Sequence, residues 1–121
     1  MSAEYADWRD RLAAANDPTL WPIEAMESEI AAGLAHFWCD GESAVVTRPV
    51  QYPGGAVVVE ILSAAGVLSS LWKRIAPQIE EYGRSLGATK LYAMGRIGWA
   101  RSSRPEGWKL EMSVIMKDLG A

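Results

Sequence analysis

The sequence predicts one α/β domain of 121 residues: two leading helices, a mixed and mostly antiparallel sheet, and one long crossover helix. Three observations predict it. Apolar residues recur at helical spacing through residues 4–34. The pattern then changes to short apolar or alternating runs broken by Asp40-Gly41-Glu42 and Pro53-Gly54-Gly55, the mark of strands joined by hairpins. After residue 66 the longest helical stripe in the chain lies between two strand-like runs, and a strand, helix, strand connection of that length joins a parallel pair.

The elements follow in order. Tyr5, Trp8, Leu12 and Ala15 predict a helix over 4–15, stopped by Asn16-Asp17-Pro18. Thr19 is placed to cap a second helix with Pro22 in its first turn, and Ile23, Met26, Ile30 and Leu34 form its stripe, ending near Gly33. Residues 35–39, 43–51 and 56–62 read as an antiparallel meander. Val57-Val58-Val59 with Ile61-Leu62 is nearly continuous and β-branched, so that strand is expected at the centre, covered on both faces. Ser63-Ala64-Ala65-Gly66 is the turn into the long helix, whose stripe is Leu68, Leu71, Trp72, Ile75, Ile79, Tyr82 and Leu86. Pro77 removes one backbone donor and is expected to kink or split that helix. Gly87 ends it, 89–94 is a parallel strand, 95–107 is irregular or a short helical turn, and the alternation of Leu110, Met112, Val114 and Met116 predicts a last strand over 109–117. Within the single domain, 1–34 is thus a helical pair, 35–62 the meander, 63–94 helix and parallel strand, and 95–121 a tail with the last strand.

Composition narrows the classes. Half the residues are hydrophobic, too many for disorder, while 11 Gly and 6 Pro are too few for a collagen-like or low-complexity chain. The longest apolar run, Gly54 to Leu62, contains Glu60 and falls short of the ~20 residues that a membrane-spanning helix needs. Residues 1–10 are polar and acidic, so no secretory signal is expected there. Cys39 and His36 are the sole residues of their types, which excludes an intrachain disulfide and the usual thiolate or His-rich metal sites. No metal is expected.

Charge is unevenly spread. Residues 1–60 carry ten acids against three bases, and residues 61–121 nine bases against five acids. Arg84, Lys90, Arg96, Arg101 and Arg104 follow one another with no acid between Tyr82 and Pro105. Such asymmetry serves an anionic ligand, nucleic acid or subunit docking, or is simply two solvated faces.

The element order, together with Tyr82-Gly83-Arg84-Ser85-Leu86-Gly87-Ala88, Gly95-Arg96-Ile97-Gly98-Trp99 and Gly107-Trp108, resembles the GNAT (Gcn5-related N-acetyltransferase) fold over Ala35 to Leu119. The tail motif is similar to small GNAT-like proteins of tailed phages and prophages, some of them virion-internal or assembly proteins. The resemblance implies that acetyl-CoA would lie where the meander's last strand and the parallel strand splay. Its pyrophosphate would rest on a loop of Arg/Gln-x-x-Gly-x-Gly/Ala type at the following helix, where successive N–H groups face an anion. The matching stretch here offers Ala64, Ala65, Gly66, Ser69 and Ser70 but lacks the leading Arg or Gln and the second glycine. Glu60 is the candidate base for the acceptor amine, with an ordinary ion pair to Arg48 or Arg96 as the plainer reading. No Tyr follows Tyr92, so the family's usual acid for the departing thiolate is missing. Cys39 and His36, three residues apart on one strand, point to opposite faces and form no dyad.

The expected function is therefore a non-catalytic GNAT-like binding or assembly module of phage type, in a virion or host cytoplasm, with no cofactor. The alternative is an acetyl-CoA-dependent N-acetyltransferase with a degenerate loop. Expected partners are a second copy or a protein such as a phage portal, capsid or ejection component. Arg96, Arg101 and Arg104, interleaved with Trp99 and Trp108, form a basic segment suited to an interface, or to phosphates of CoA or nucleic acid. Six Trp in 121 residues exceed the needs of a small core. Trp38, Trp72, Trp99 and Trp108 have core positions in this scheme, which leaves Trp8 and Trp21 on the acidic leading helices as the expected partner-facing anchors.

Overall fold

The structure, a computed structural model, describes residues 2–95, 97–112 and 114–120. Helix α1 (Ala3–Ala15) begins where Ser2 Oγ accepts the Tyr5 amide at 3.2 Å, and it turns Tyr5, Trp8 and Leu12 inward. Helix α2 (Ile23–Ala31) starts directly after Pro22, whose fixed φ suits a helix entry. Thr19 does not cap it. The carboxylate of Asp17 holds the Thr19 amide at 2.9 Å and its hydroxyl at 2.6 Å, closing a separate turn ahead of the helix. Ile23 and Met26 are buried as expected, but Leu34 lies beyond the helix end and is exposed. Arg9 joins the two helices through a bidentate pair with Glu27, at 3.0 and 2.9 Å.

Strands β1 (His36–Cys39), β2 (Ser43–Gln51), β3 (Val57–Gly66) and β4 (Lys90–Ala93) lie side by side in that order. The first two pairings are antiparallel and β3 pairs with β4 in parallel, the mixed sheet that the sequence predicts. Leu12, Met26, Ala44 and Val46 meet on one face of the sheet, and Val45, Val59, Trp72, Ile75 and Ile79 on the other. Each fully buried Val, Leu, Ile or Met among them contributes about 1.5–3 kcal/mol. The register steps from Thr47↔Ile61 to Val46↔Ser63, which leaves Leu62 as the extra residue of a β-bulge. Ile61 and Ala64 therefore face one layer, and Leu62 and Ala65 the other.

The crossover helix is split as expected. Helix α3 (Leu68–Ser70) passes through a π turn over Leu71–Ile75 into α4 (Ala76–Ser85). The Ala76 amide reaches back five residues to the Leu71 carbonyl, which widens the helix just ahead of Pro77, where a regular turn would clash. After β4 come α5 (Ile97–Ser103) and a single 3-10 turn over Arg104–Glu106. Among the described residues, no helix is long and apolar enough to cross a membrane.

Three expectations are corrected. Strand β3 runs on to Gly66, so Ser63-Ala64-Ala65-Gly66 is strand and not turn. The last strand expected over 109–117 does not form among its described residues. Their alternation is that of a strand, but a strand needs a neighbour for its N–H and C=O groups, and none lies beside them. Trp8, expected to face a partner, is 6% exposed and packs in the core under α1 with Tyr5, Leu12 and Met26.

Candidate active site

Strands β3 and β4 pair over four steps only, from Val58↔Lys90 to Ile61↔Ala93. Beyond that point β3 continues through Leu62 to Gly66, while β4 ends and the chain departs toward α5. The two strands thus separate into a wedge, and among the described residues one backbone edge of this five-residue stretch has no strand partner. Ala64, Leu68, Trp72, Ala93, Trp99 and Trp108 pack together beside it. The Trp72 ring meets Trp99 edge-on at 5.7 Å and Trp108 at 5.2 Å. A side chain on Gly95 would stand 2.2 Å from the Trp99 ring, so the glycine is what lets that indole fold back over the strand end.

Glu60 sits one step before the wedge, opposite Tyr92 on β4 and Arg48 on β2. Its carboxylate accepts the Tyr52 hydroxyl at 2.8 Å and lies 4.0 Å from the Arg48 guanidinium, which is 4.0 Å from Glu29 and stacks over Trp21 at 5.1 Å. Arg48 Nε is buried with no hydrogen-bond partner. Hydrogen bonding to Glu60, and then burial and the Glu60 charge, hold the Tyr52 phenol above its ordinary pKa, so Tyr52 stays a donor. The arrangement is a half-buried carboxylate fixed on two sides, at the mouth of an opening in the sheet.

The helix start is built differently from an open anion cradle. Gly66 adopts φ +105, and a Cβ there would lie 2.3 Å from the Glu42 carbonyl oxygen and 2.6 Å from Ser43 Cα. Its bare backbone therefore serves the close approach of the β1–β2 turn, and the next amide, Val67 N–H, is used by the same Glu42 carbonyl at 3.1 Å. Ser70 is buried and donates its hydroxyl to Asp40. Burial pushes the Asp40 carboxyl up, but that bond, with the Glu42 and Ser43 amides, outweighs it and holds the group below the usual carboxylate range. Ala64 and Ala65 face the two core layers, and Ser69 alone of the candidate loop side chains is exposed and free of a protein bond. The edge of Leu62–Gly66 is thus without a strand partner among the described residues, whereas the helix start already carries the Asp40 carboxylate and does not fit a diphosphate.

Of the remaining candidates, Trp21 is half-buried under Arg48, and Arg101 and Arg104 are exposed on α5 and the turn after it. Arg96 lies outside the described residues. The Cys39 thiol donates to Glu4 at 2.9 Å, and burial, then that carboxylate, push it up to about 11, which keeps it protonated and unreactive. His36 stacks edge-on against Tyr82 at 5.2 Å on the other side of the sheet. Two relationships were not anticipated from sequence. The Tyr52–Glu60 bond was readable in principle, because Tyr52 and Ala56 close the hairpin and fix Arg48 opposite Glu60. The Asp40–Ser70 bond spans 30 residues and has no local signal.

No protein-family model matches the chain, and no curated protein sequence does. Solved structures do. The chain is similar to an acetyltransferase from Trypanosoma brucei, with a TM-score of 0.67 and 13% identity over 97% of this chain and 94% of that one. TTHA1254 from Thermus thermophilus aligns with a TM-score of 0.64 and 14% identity over 95% and 93% of the two chains. Glucosamine-6-phosphate N-acetyltransferase from Arabidopsis thaliana aligns with a TM-score of 0.61 and 9% identity over 81% and 77%. At these identities the likeness is one of fold. The chain has the GNAT-type acetyltransferase fold that the sequence resemblance implied, while the resemblance to phage-borne members has no counterpart among these three structures.

Proposed function

We propose that the chain is an N-acetyltransferase that moves an acetyl group from acetyl-CoA to a primary amine in the wedge between β3 and β4. One observation carries this reading: the strand pairing stops at Ile61↔Ala93, one step past a carboxylate held by Tyr52 and Arg48. The free edge of Leu62–Gly66 can bind an extended amide-bearing arm as an added strand would be bound, through backbone N–H and C=O groups. Acetyl-CoA, when bound, supplies a thioester whose carbonyl carbon is open to attack by an amine. Glu60 takes the proton that an acceptor ammonium must lose, and Tyr52 and Arg48 keep its carboxylate at the mouth of the wedge. As the amine nitrogen bonds to the acetyl carbon the C–S bond breaks, and the departing thiolate takes up the amine's remaining proton directly or through water. Tyr92 and Trp21 flank that position. Because Asp40 occupies the helix start, the diphosphate is left to the exposed Arg101 and Arg104 near the other wall. The fold shared with two acetyltransferases supports the assignment.

A second reading, a non-catalytic binding or assembly module such as a virion component, is favoured by the same Asp40 carboxylate at the place a diphosphate would need. Thiol release from acetyl-CoA with a panel of primary amines separates the two. Transfer that drops by on the order of 10²-fold in Glu60→Gln, with acetyl-CoA affinity unchanged by calorimetry, supports the acetyltransferase. Absence of both thiol release and acetyl-CoA binding at millimolar concentration overturns it in favour of the module.

A further inference from the structure

Where β3 and β4 part, the side chains that turn toward the crossover helix are small: Ala64 from β3 and Ala93 from β4. Two methyl groups cannot fill the space that separating strands leave, and one large side chain takes it. Trp99 packs in this same layer and meets the Trp72 ring edge-on at 5.7 Å. The indole reaches that place because Gly95 has no side chain, since a Cβ there would lie 2.2 to 2.8 Å from three of its atoms. Two bonds hold the helix that carries it. Trp72 donates its indole N–H to Ser102 at 2.9 Å, and the buried Ser103 hydroxyl donates to the Trp99 carbonyl at 2.6 Å. Trp99 itself is half-buried. Its ring therefore stands against the backbone just past the end of β4, with Trp72 on one side of it and part of its surface open.

A ring fixed in this way acts as a wall. An acyl chain entering between the strands passes the two alanines and then meets the indole, which Trp72 and the tied helix keep from yielding. Close-packed surroundings of this kind give no room for added methylenes without displacing a side chain. We propose that Trp99 sets the length of the acyl group that the wedge accepts, admitting acetyl and excluding longer straight chains. This specificity rests on the acetyl-transfer reading of the same wedge.

Calorimetry with acetyl-CoA and with hexanoyl-CoA, in the absence of an acceptor amine, tests this on the full chain. Wild-type protein is expected to bind hexanoyl-CoA about 10–100-fold more weakly than acetyl-CoA, the discrimination that one or two unaccommodated methylenes give. Trp99→Ala is expected to bring the two donors within about threefold of each other, because the wall is gone. Gly95→Ala keeps the indole but pushes it aside, and is expected to move the ratio in the same direction. A general loss of structure weakens both donors alike, so the ratio reports the ring and not the stability. Where Trp99→Ala does not fold, Gly95→Ala decides. Equal binding of the two donors by wild-type protein overturns the inference and leaves the acetyl-transfer reading standing, as does a ratio that either folded variant leaves unchanged. Failure to bind acetyl-CoA at millimolar concentration overturns both.

Discussion

Trp72 donates its indole N–H to Ser102 at 2.9 Å, which ties the first turns of the crossover helix to α5, thirty residues further along the chain. The indole is 2% exposed. Ser102→Ala removes the acceptor and leaves that donor unpaired, at a cost of about 1–2 kcal/mol. A lower urea midpoint with an altered tryptophan emission spectrum is the expected result, and an unchanged midpoint would show that water takes the place of the hydroxyl.

Gly66→Ala destabilises the fold by about 3 kcal/mol or more, because the new methyl meets backbone on the β1–β2 turn and φ +105 strains any L side chain. Chemical denaturation measures it. The same variant is a poor probe of cofactor binding, since loss of affinity would follow from loss of the turn.

Asp40→Asn lowers stability at neutral pH and makes it less dependent on pH. The wild-type carboxyl is held down in the fold, so its contribution is present above the unfolded pKa of about 3.9 and is lost as pH falls through the folded value. Urea titrations of both proteins are therefore expected to differ by about 1–2 kcal/mol at pH 7, and the difference is expected to start shrinking near the unfolded value of about 3.9 and to close only below the lower folded one.

Tyr52→Phe is expected to lower kcat about tenfold with little change in KM for acetyl-CoA, since it frees the Glu60 carboxylate without touching the wedge. Its stability is expected to stay within about 1 kcal/mol of wild type, because the ring is kept and the lost hydroxyl lies at a position 40% exposed. A change in KM alone would assign the tyrosine to substrate binding.

Trp8→Ala costs about 3–5 kcal/mol, the price of a cavity beside Tyr5, Leu12 and Met26. Trp21→Ala costs less, because Trp21 is half-buried and its ring supports the Arg48 guanidinium. Thermal melts rank the two.

Sequence periodicity was enough for the element order as far as β4 and for the central, doubly covered β3, because its β-branched run and the long helical stripe are dictated by burial, whereas the alternation over 109–117 met no neighbouring strand among the described residues. The break at Pro77 was legible for the same reason that it occurs, a missing donor. The reach of β3 was not, since Ser63-Ala64-Ala65-Gly66 has the composition of a turn and becomes strand only through its pairing with Ser43–Val46. Thr19 looked like a helix cap and was claimed by Asp17 two residues away. At the site, Glu60 was singled out from its position alone, whereas its fixation by Tyr52 and the blocking of the helix start by Asp40 are long-range consequences of the folded sheet.

The bulge at Leu62 also limits how this chain can vary in length. It shifts the alternation of β3 by one residue, so that Ile61 and Ala64 line one layer while Leu62 and Ala65 line the other. Deleting the extra residue would make Thr47↔Ile61 and Val46↔Ser63 consecutive pairs of a regular ladder and leave Ala64 and Ala65 in the layers they line now. Elsewhere in β3 no extra residue stands ready to be removed, so a single deletion there would turn the apolar residues beyond it to the opposite layer.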